Sequence, residues 1–95
     1  MNLNHVTVPV TAIEPAVAFY KLLGLKPIVR NERYARFELP DGDATFSIEL
    51  TERVASGGAV AHVCFECDDI DEQSARLAAA GIAFDQPPTD MRWQW

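Results

Sequence analysis

Residues 3–10, LNHVTVPV, alternate with the two-residue period of a half-buried strand. Asn4, Val6, Val8 and Val10 fall on one face, and Leu3, His5, Thr7 and Pro9 on the other. From Ile13 the period lengthens, and Ile13, Ala16, Val17, Tyr20 and Leu23 form the stripe of an amphipathic helix. Thr11 and Glu14 stand at capping-box spacing, Pro15 falls early enough to be tolerated in a first turn, and Gly24 suits a C-terminal cap. Strand character returns in LKPIVR, YARFELP and ATFSIEL, with Asp41-Gly42-Asp43 as the turn between the last two. The pattern predicts a βαβββ module over residues 1–52 and a connector of small residues at 53–58.

A displacement of 57 residues, without a gap, lays His5 on His62, Val6 on Val63, Ile13 on Ile70, Ala18 on Ala75 and Gly24 on Gly81, with Ile82 replacing Leu25. Such a correspondence is the signature of a structural repeat. Residues 59–95 are therefore expected to begin a second module: a strand in AVAHVCFEC, then a helix from Ile70 to Ala80 introduced by Asp68, Asp69 and Glu72, which read as caps. The remaining stretch, IAFDQPPTDMRWQW, has room for one strand, a Pro-Pro loop and the start of another strand at Arg92–Trp95. The second module is thus expected to be incomplete, and the fold to be α+β.

Alternation also sorts the side chains by face. Opposite the apolar set stand His5 and Thr7; then Tyr34, Arg36 and Glu38; then Thr45, Ser47 and Glu49; and in the second module Val60, His62, Cys64 and Glu66. Of these, Thr45 and Glu66 read as plain solvent-facing positions. His5, Glu49 and His62 stand out, because two imidazoles and a carboxylate form a common donor set for first-row divalent metals.

Composition narrows the class. Ninety-five residues make one domain, so a large cleft would call for a second subunit. A hydrophobic fraction of 48% with 23% charged residues is that of a globular protein. The formal charge of -6, with eight Lys and Arg and no basic cluster, argues against nucleic acid or an acidic membrane surface as partner. The N-terminus lacks a signal-peptide pattern and no apolar run reaches spanning length, so a cytoplasmic location is expected. Cys64 and Cys67 have the C-x-x-C spacing of redox and zinc motifs. On a strand, residues three apart point to opposite faces, and the expectation is two semi-buried free thiols.

The opening NHVTVPV, the helix AVAFYKLLGL, the run FELPDGDATFSIEL and the segment AHVCFECDDIDEQSARLAAAGIAF resemble the vicinal oxygen chelate superfamily. This is the glyoxalase, bleomycin-resistance and extradiol-dioxygenase group, and the resemblance covers essentially the whole chain. It implies paired βαβββ modules in a curved mixed sheet with helices on the convex face and a divalent ion (Zn, Ni, Mn or Fe) on the concave one. His5, Glu49 and His62 match the metal ligands, and a fourth, a Glu on the eighth strand, would fall near position 106 by the same offset. Glu49 would also be the catalytic base, and Thr7, Tyr34, Arg36 and Ser47 would line the substrate pocket.

The implied activity is that of a metal-dependent small-molecule enzyme of the glyoxalase or dioxygenase type, the ion chelating two substrate oxygens. The other implied reading is a metal-free drug- or metabolite-binding protein like the bleomycin-resistance branch, which Tyr34, Trp93, Trp95 and the acidic charge suit. A homodimer is implied in either case, with Arg92–Trp95 as an edge for strand exchange.

Overall fold

The first module folds as its alternation predicts. The computed structural model of the protein describes residues 1–52 and 62–84, and the chain divides into two compact units between residues 60 and 61. The first holds β1 (His5–Val10), α1 (Ile13–Leu22), β2 (Lys26–Arg30), β3 (Tyr34–Glu38) and β4 (Thr45–Leu50). The strands form one mixed sheet in the order β1-β4-β3-β2, with β1 parallel to β4 and the other pairs antiparallel. The described residues thus form an α+β fold of a four-stranded mixed sheet and two helices.

Register explains why one sheet face is apolar and the other polar. Along the β1–β4 ladder Val6 lies beside Phe46, Val8 beside Ile48 and Val10 beside Leu50, while the intervening pairs are His5 with Thr45, Thr7 with Ser47 and Pro9 with Glu49. On the apolar side, Ala35, Phe37, Phe46 and Ile48 pack with Ile13 and Val17 of α1 and with Leu25. Tyr20 sits against this cluster, its ring centroid 4.7 Å from that of Phe46 and 5.8 Å from that of Phe37. Burial of these side chains, at roughly 1.5–3 kcal/mol for each large one, holds the helix to the sheet. β2 is an edge strand, and its register slips between Pro27 and Val29, where the missing Pro27 N–H weakens the ladder.

Helix ends follow their own chemistry. α1 stops in a Schellman motif: Gly24, at φ +102, donates to the Lys21 carbonyl at 3.0 Å, and Leu25 N–H donates to the Tyr20 carbonyl at 3.1 Å. The same arrangement closes α2 (Ile70–Ala79) in the second unit. There Gly81, at φ +96, donates to Ala78 and Ile82 N–H donates to Leu77, both at 3.0 Å. The repeated Gly-Leu and Gly-Ile pairs of the sequence are this motif. The N-terminus of α2 is capped as expected, with the Asp69 carboxylate accepting from Glu72 N–H at 3.0 Å.

Three expectations are corrected. The Thr11–Glu14 capping box is not formed: Ala12 is the N-cap and makes no side-chain cap bond. The helix therefore begins one residue later than the box requires, Pro15 lands where an N–H would be capped, and Glu14 turns instead to an ion pair with Arg30. Of the strand expected in AVAHVCFEC, the described residues 62–67 carry no ladder. A strand needs a partner: β1 finds its own in β4, forty positions along from His5 to Thr45, and no counterpart of β4 is among the described residues of the second unit. Cys64 and Cys67 are accordingly free and exposed, not semi-buried. The connector at 53–58, Val60, and the strands expected near Trp93 and Trp95 lie outside the described residues. Among the described residues no helix is long and apolar enough to cross a membrane.

Candidate functional site

The polar sheet face of the first unit is tied together through His5. This residue is half-buried at the start of β1, and the parallel ladder sets it beside Thr45. Its Nδ1 lies 2.6 Å from Thr45 Oγ1; its Nε2 lies 2.9 Å from Ser47 Oγ and 3.0 Å from Thr7 Oγ1. From β3, Tyr34 reaches diagonally across the antiparallel ladder, its hydroxyl 2.7 Å from Ser47 Oγ. Arg36 does the same one turn of the pleat further, donating from Nε at 3.1 Å and from Nη2 at 2.9 Å to Thr45 Oγ1.

Ser47 is completely buried at the centre of this set, and among the described residues no buried side-chain nitrogen or oxygen lacks a partner. A polar atom buried in that position needs such partners, since an unmade hydrogen bond there costs about 1–3 kcal/mol. The face is therefore an ordered array of hydroxyl, imidazole and guanidinium groups. Chemically it can bind and orient oxygen-bearing small molecules and relay a proton along Tyr34, Ser47 and His5.

Five of the seven residues singled out from the sequence, His5, Thr7, Tyr34, Arg36 and Ser47, come together in this array. Glu49 shares the face but not the array. It is exposed, its ladder neighbours are Pro9 and Tyr34, and with Thr7, Pro9, Leu50 and Thr51 it lines a shallow concavity of about 410 Å³. Pro9 is four residues along β1 from His5, about 13 Å of strand. His62 belongs to the second unit and is exposed. Among the described residues no three His, Cys, Asp or Glu side chains are grouped to hold a metal ion. By residue type two imidazoles and a carboxylate are a donor set for first-row divalent ions, and the first unit does not bring His5 and Glu49 together.

Thr45 is the member of the array that sequence reasoning passed over. Alternation placed it on the polar face, where an isolated threonine reads as solvent-facing. Its role as the meeting point of His5 and Arg36 depends on the β1–β4 register. Nothing local encodes that register, because forty residues separate the two partners.

The Glyoxalase/Bleomycin resistance protein/Dioxygenase superfamily matches residues 2–94. A curated relative, the trivalent organoarsenical cleaving enzyme of Bacillus sp. (strain MD1), is 34% identical over 86 residues, covering 86% of this chain and 53% of that protein. The chain thus spans about half the length of the curated relative it matches. Among solved structures, a superfamily member from Sphaerobacter thermophilus DSM 20745 superposes with a TM-score of 0.74 at 24% identity, over 98% of this chain and 82% of the other. Lactoylglutathione lyase from Agrobacterium tumefaciens superposes with a TM-score of 0.70 at 21% identity, over 90% and 74%. At these identities the structural likeness is one of fold.

Proposed function

The chain belongs to the Glyoxalase/Bleomycin resistance protein/Dioxygenase superfamily, and on that premise we propose that it acts in a metal-dependent small-molecule enzyme of the glyoxalase or dioxygenase type. The observation that carries this reading is the family match over residues 2–94, to which the His5-centred array, with Ser47 wholly buried in it, adds polar groups for a substrate. The array's hydroxyls, imidazole and guanidinium converge on one partly buried face, an arrangement suited to orienting a polar ligand.

His5, Glu49 and His62 would hold the divalent ion, which when bound supplies Lewis-acid polarisation of two neighbouring substrate oxygens. Thr7 and Ser47 hold the Nε2 edge of His5 in place. Glu49, exposed at the concavity beside Thr7, is the group available to take a substrate proton. The guanidinium of Arg36 favours a substrate bearing negative charge or a carbonyl oxygen. A trivalent organoarsenical is the first compound to try, because the relative at 34% identity cleaves that class.

The test is metal content together with turnover. The purified chain, supplied in turn with Mn(II), Fe(II), Ni(II) and Zn(II), is expected to retain one ion per protomer by elemental analysis. His5→Ala combined with His62→Ala should abolish retention and any cleavage of the arsenical. Equal retention by the double variant, or none by the parent protein, would instead favour the second reading. In that reading the same array binds a drug or metabolite without metal, and the engagement of both His5 ring nitrogens by hydroxyls is the observation in its favour.

A further inference from the structure

Counting protons around Thr45 has a consequence for His5. Three nitrogens meet the Thr45 hydroxyl: Nε and Nη2 of Arg36, at 3.1 and 2.9 Å, and Nδ1 of His5, at 2.6 Å. A hydroxyl has one proton and two lone pairs, and a guanidinium donates only. The two Arg36 N–H groups therefore occupy both lone pairs, and the Thr45 proton is left pointing at Nδ1, which must accept it. A ring protonated at Nδ1 would bring a third donor to an oxygen with two lone pairs.

The other edge of the ring agrees. With Nδ1 unprotonated, Nε2 carries the hydrogen and donates to Ser47 Oγ and Thr7 Oγ1, at 2.9 and 3.0 Å; both are hydroxyls able to accept. Ser47 then passes its own proton to the Tyr34 oxygen at 2.7 Å, which closes the set without a conflict.

We infer that Arg36, acting through Thr45, is a positioning residue that fixes neutral His5 in its Nε2–H tautomer. The inference concerns the protein's own hydrogen-bond order, and it bears on the metal reading in one respect. A metal ligated at Nε2 requires the hydrogen on Nδ1, so Arg36 would set the tautomer that any such ion has to overturn. Arg36 and Thr45 would thereby gate the state of the imidazole without touching its ligating nitrogen.

Long-range ¹H–¹⁵N correlation of the imidazoles reads the tautomer directly. His62→Gln removes the second histidine's signals and leaves those of His5. The full-length parent chain is expected to give the pattern of an unprotonated Nδ1 and a protonated Nε2. Thr45→Ser, which keeps the hydroxyl, should preserve that pattern; Arg36→Met, which frees the lone pairs of the Thr45 oxygen, should admit Nδ1–H while the aromatic shifts of Phe37 and Phe46 stay in place. A parent chain that is mainly Nδ1–H, or an Arg36→Met chain with the parent pattern, overturns the inference. Zinc added to the parent chain separates the two proposals, since a ring that stays Nε2–H in its presence supports this assignment while counting against His5 as a ligand through Nε2.

Discussion

At the scale of single residues, burial has chemical consequences on both sheet faces. Tyr20 lies against Phe37 and Phe46, and its removal from water raises its phenol above the ordinary value of 10.0. The unfolded chain loses this proton near 10.0, whereas the folded protein still holds it there. Since the native state then binds more protons, stability falls as pH rises past the unfolded value and levels off only beyond the folded one. We expect the melting temperature of the parent protein to drop between about pH 9 and 11 more steeply than that of Tyr20→Phe. Parallel curves for the two would remove Tyr20 from this account. On the polar face Ser47 carries the opposite lesson: a side chain more deeply buried than Tyr20 that remains polar because His5 and Tyr34 supply its partners.

At the scale of elements, the two helices make a natural comparison because they share a C-terminal design and differ at the N-terminus. Both end in a left-handed glycine, Gly24 or Gly81, followed by an aliphatic residue. Only α2 has a side-chain cap, from Asp69; α1 starts at an uncapped Ala12 held in extended backbone. Asp69→Ala should therefore lower stability by about 1 kcal/mol, and Ala12→Ser should raise it by a similar amount, both read by urea denaturation. The second value is expected to be the smaller of the two, because Pro15 lacks one of the first-turn N–H groups and leaves the new hydroxyl a single donor to reach. Capping motifs were legible at α2 because spacing alone decides a local bond. At α1 the same spacing misled, since Glu14 had a better partner in Arg30, sixteen residues away.

At the scale of the whole molecule, charge and division into units matter most. A net charge of -6 and a sequence pI of about 4.7 repel polyanions at neutral pH. No change in the anisotropy of labelled duplex DNA is expected on adding the chain at low salt, where electrostatic binding is strongest. Saturable binding that weakens with salt would reopen the nucleic-acid class. The two described units each carry part of the repeat, but they differ in what they complete. Residues 1–52 contain every strand their sheet needs, and residues 62–67 are left without a ladder.

The sequence by itself determined the elements of the first module, the face on which each side chain lies and the repeat that equates His5 with His62. It could do so because alternation, helical periodicity and a glycine at a left-handed position are properties of neighbouring residues. Resemblance to the superfamily was legible for the same reason, carried by runs of consecutive residues. Tertiary structure alone decided that Thr45 meets His5 and Arg36, that Ser47 is buried, and that Glu49 stands four ladder positions from His5. These are matters of register between strands about forty residues apart. A two-residue period fixes the face of each side chain but leaves open which partner it meets, and only the packed sheet selects that partner.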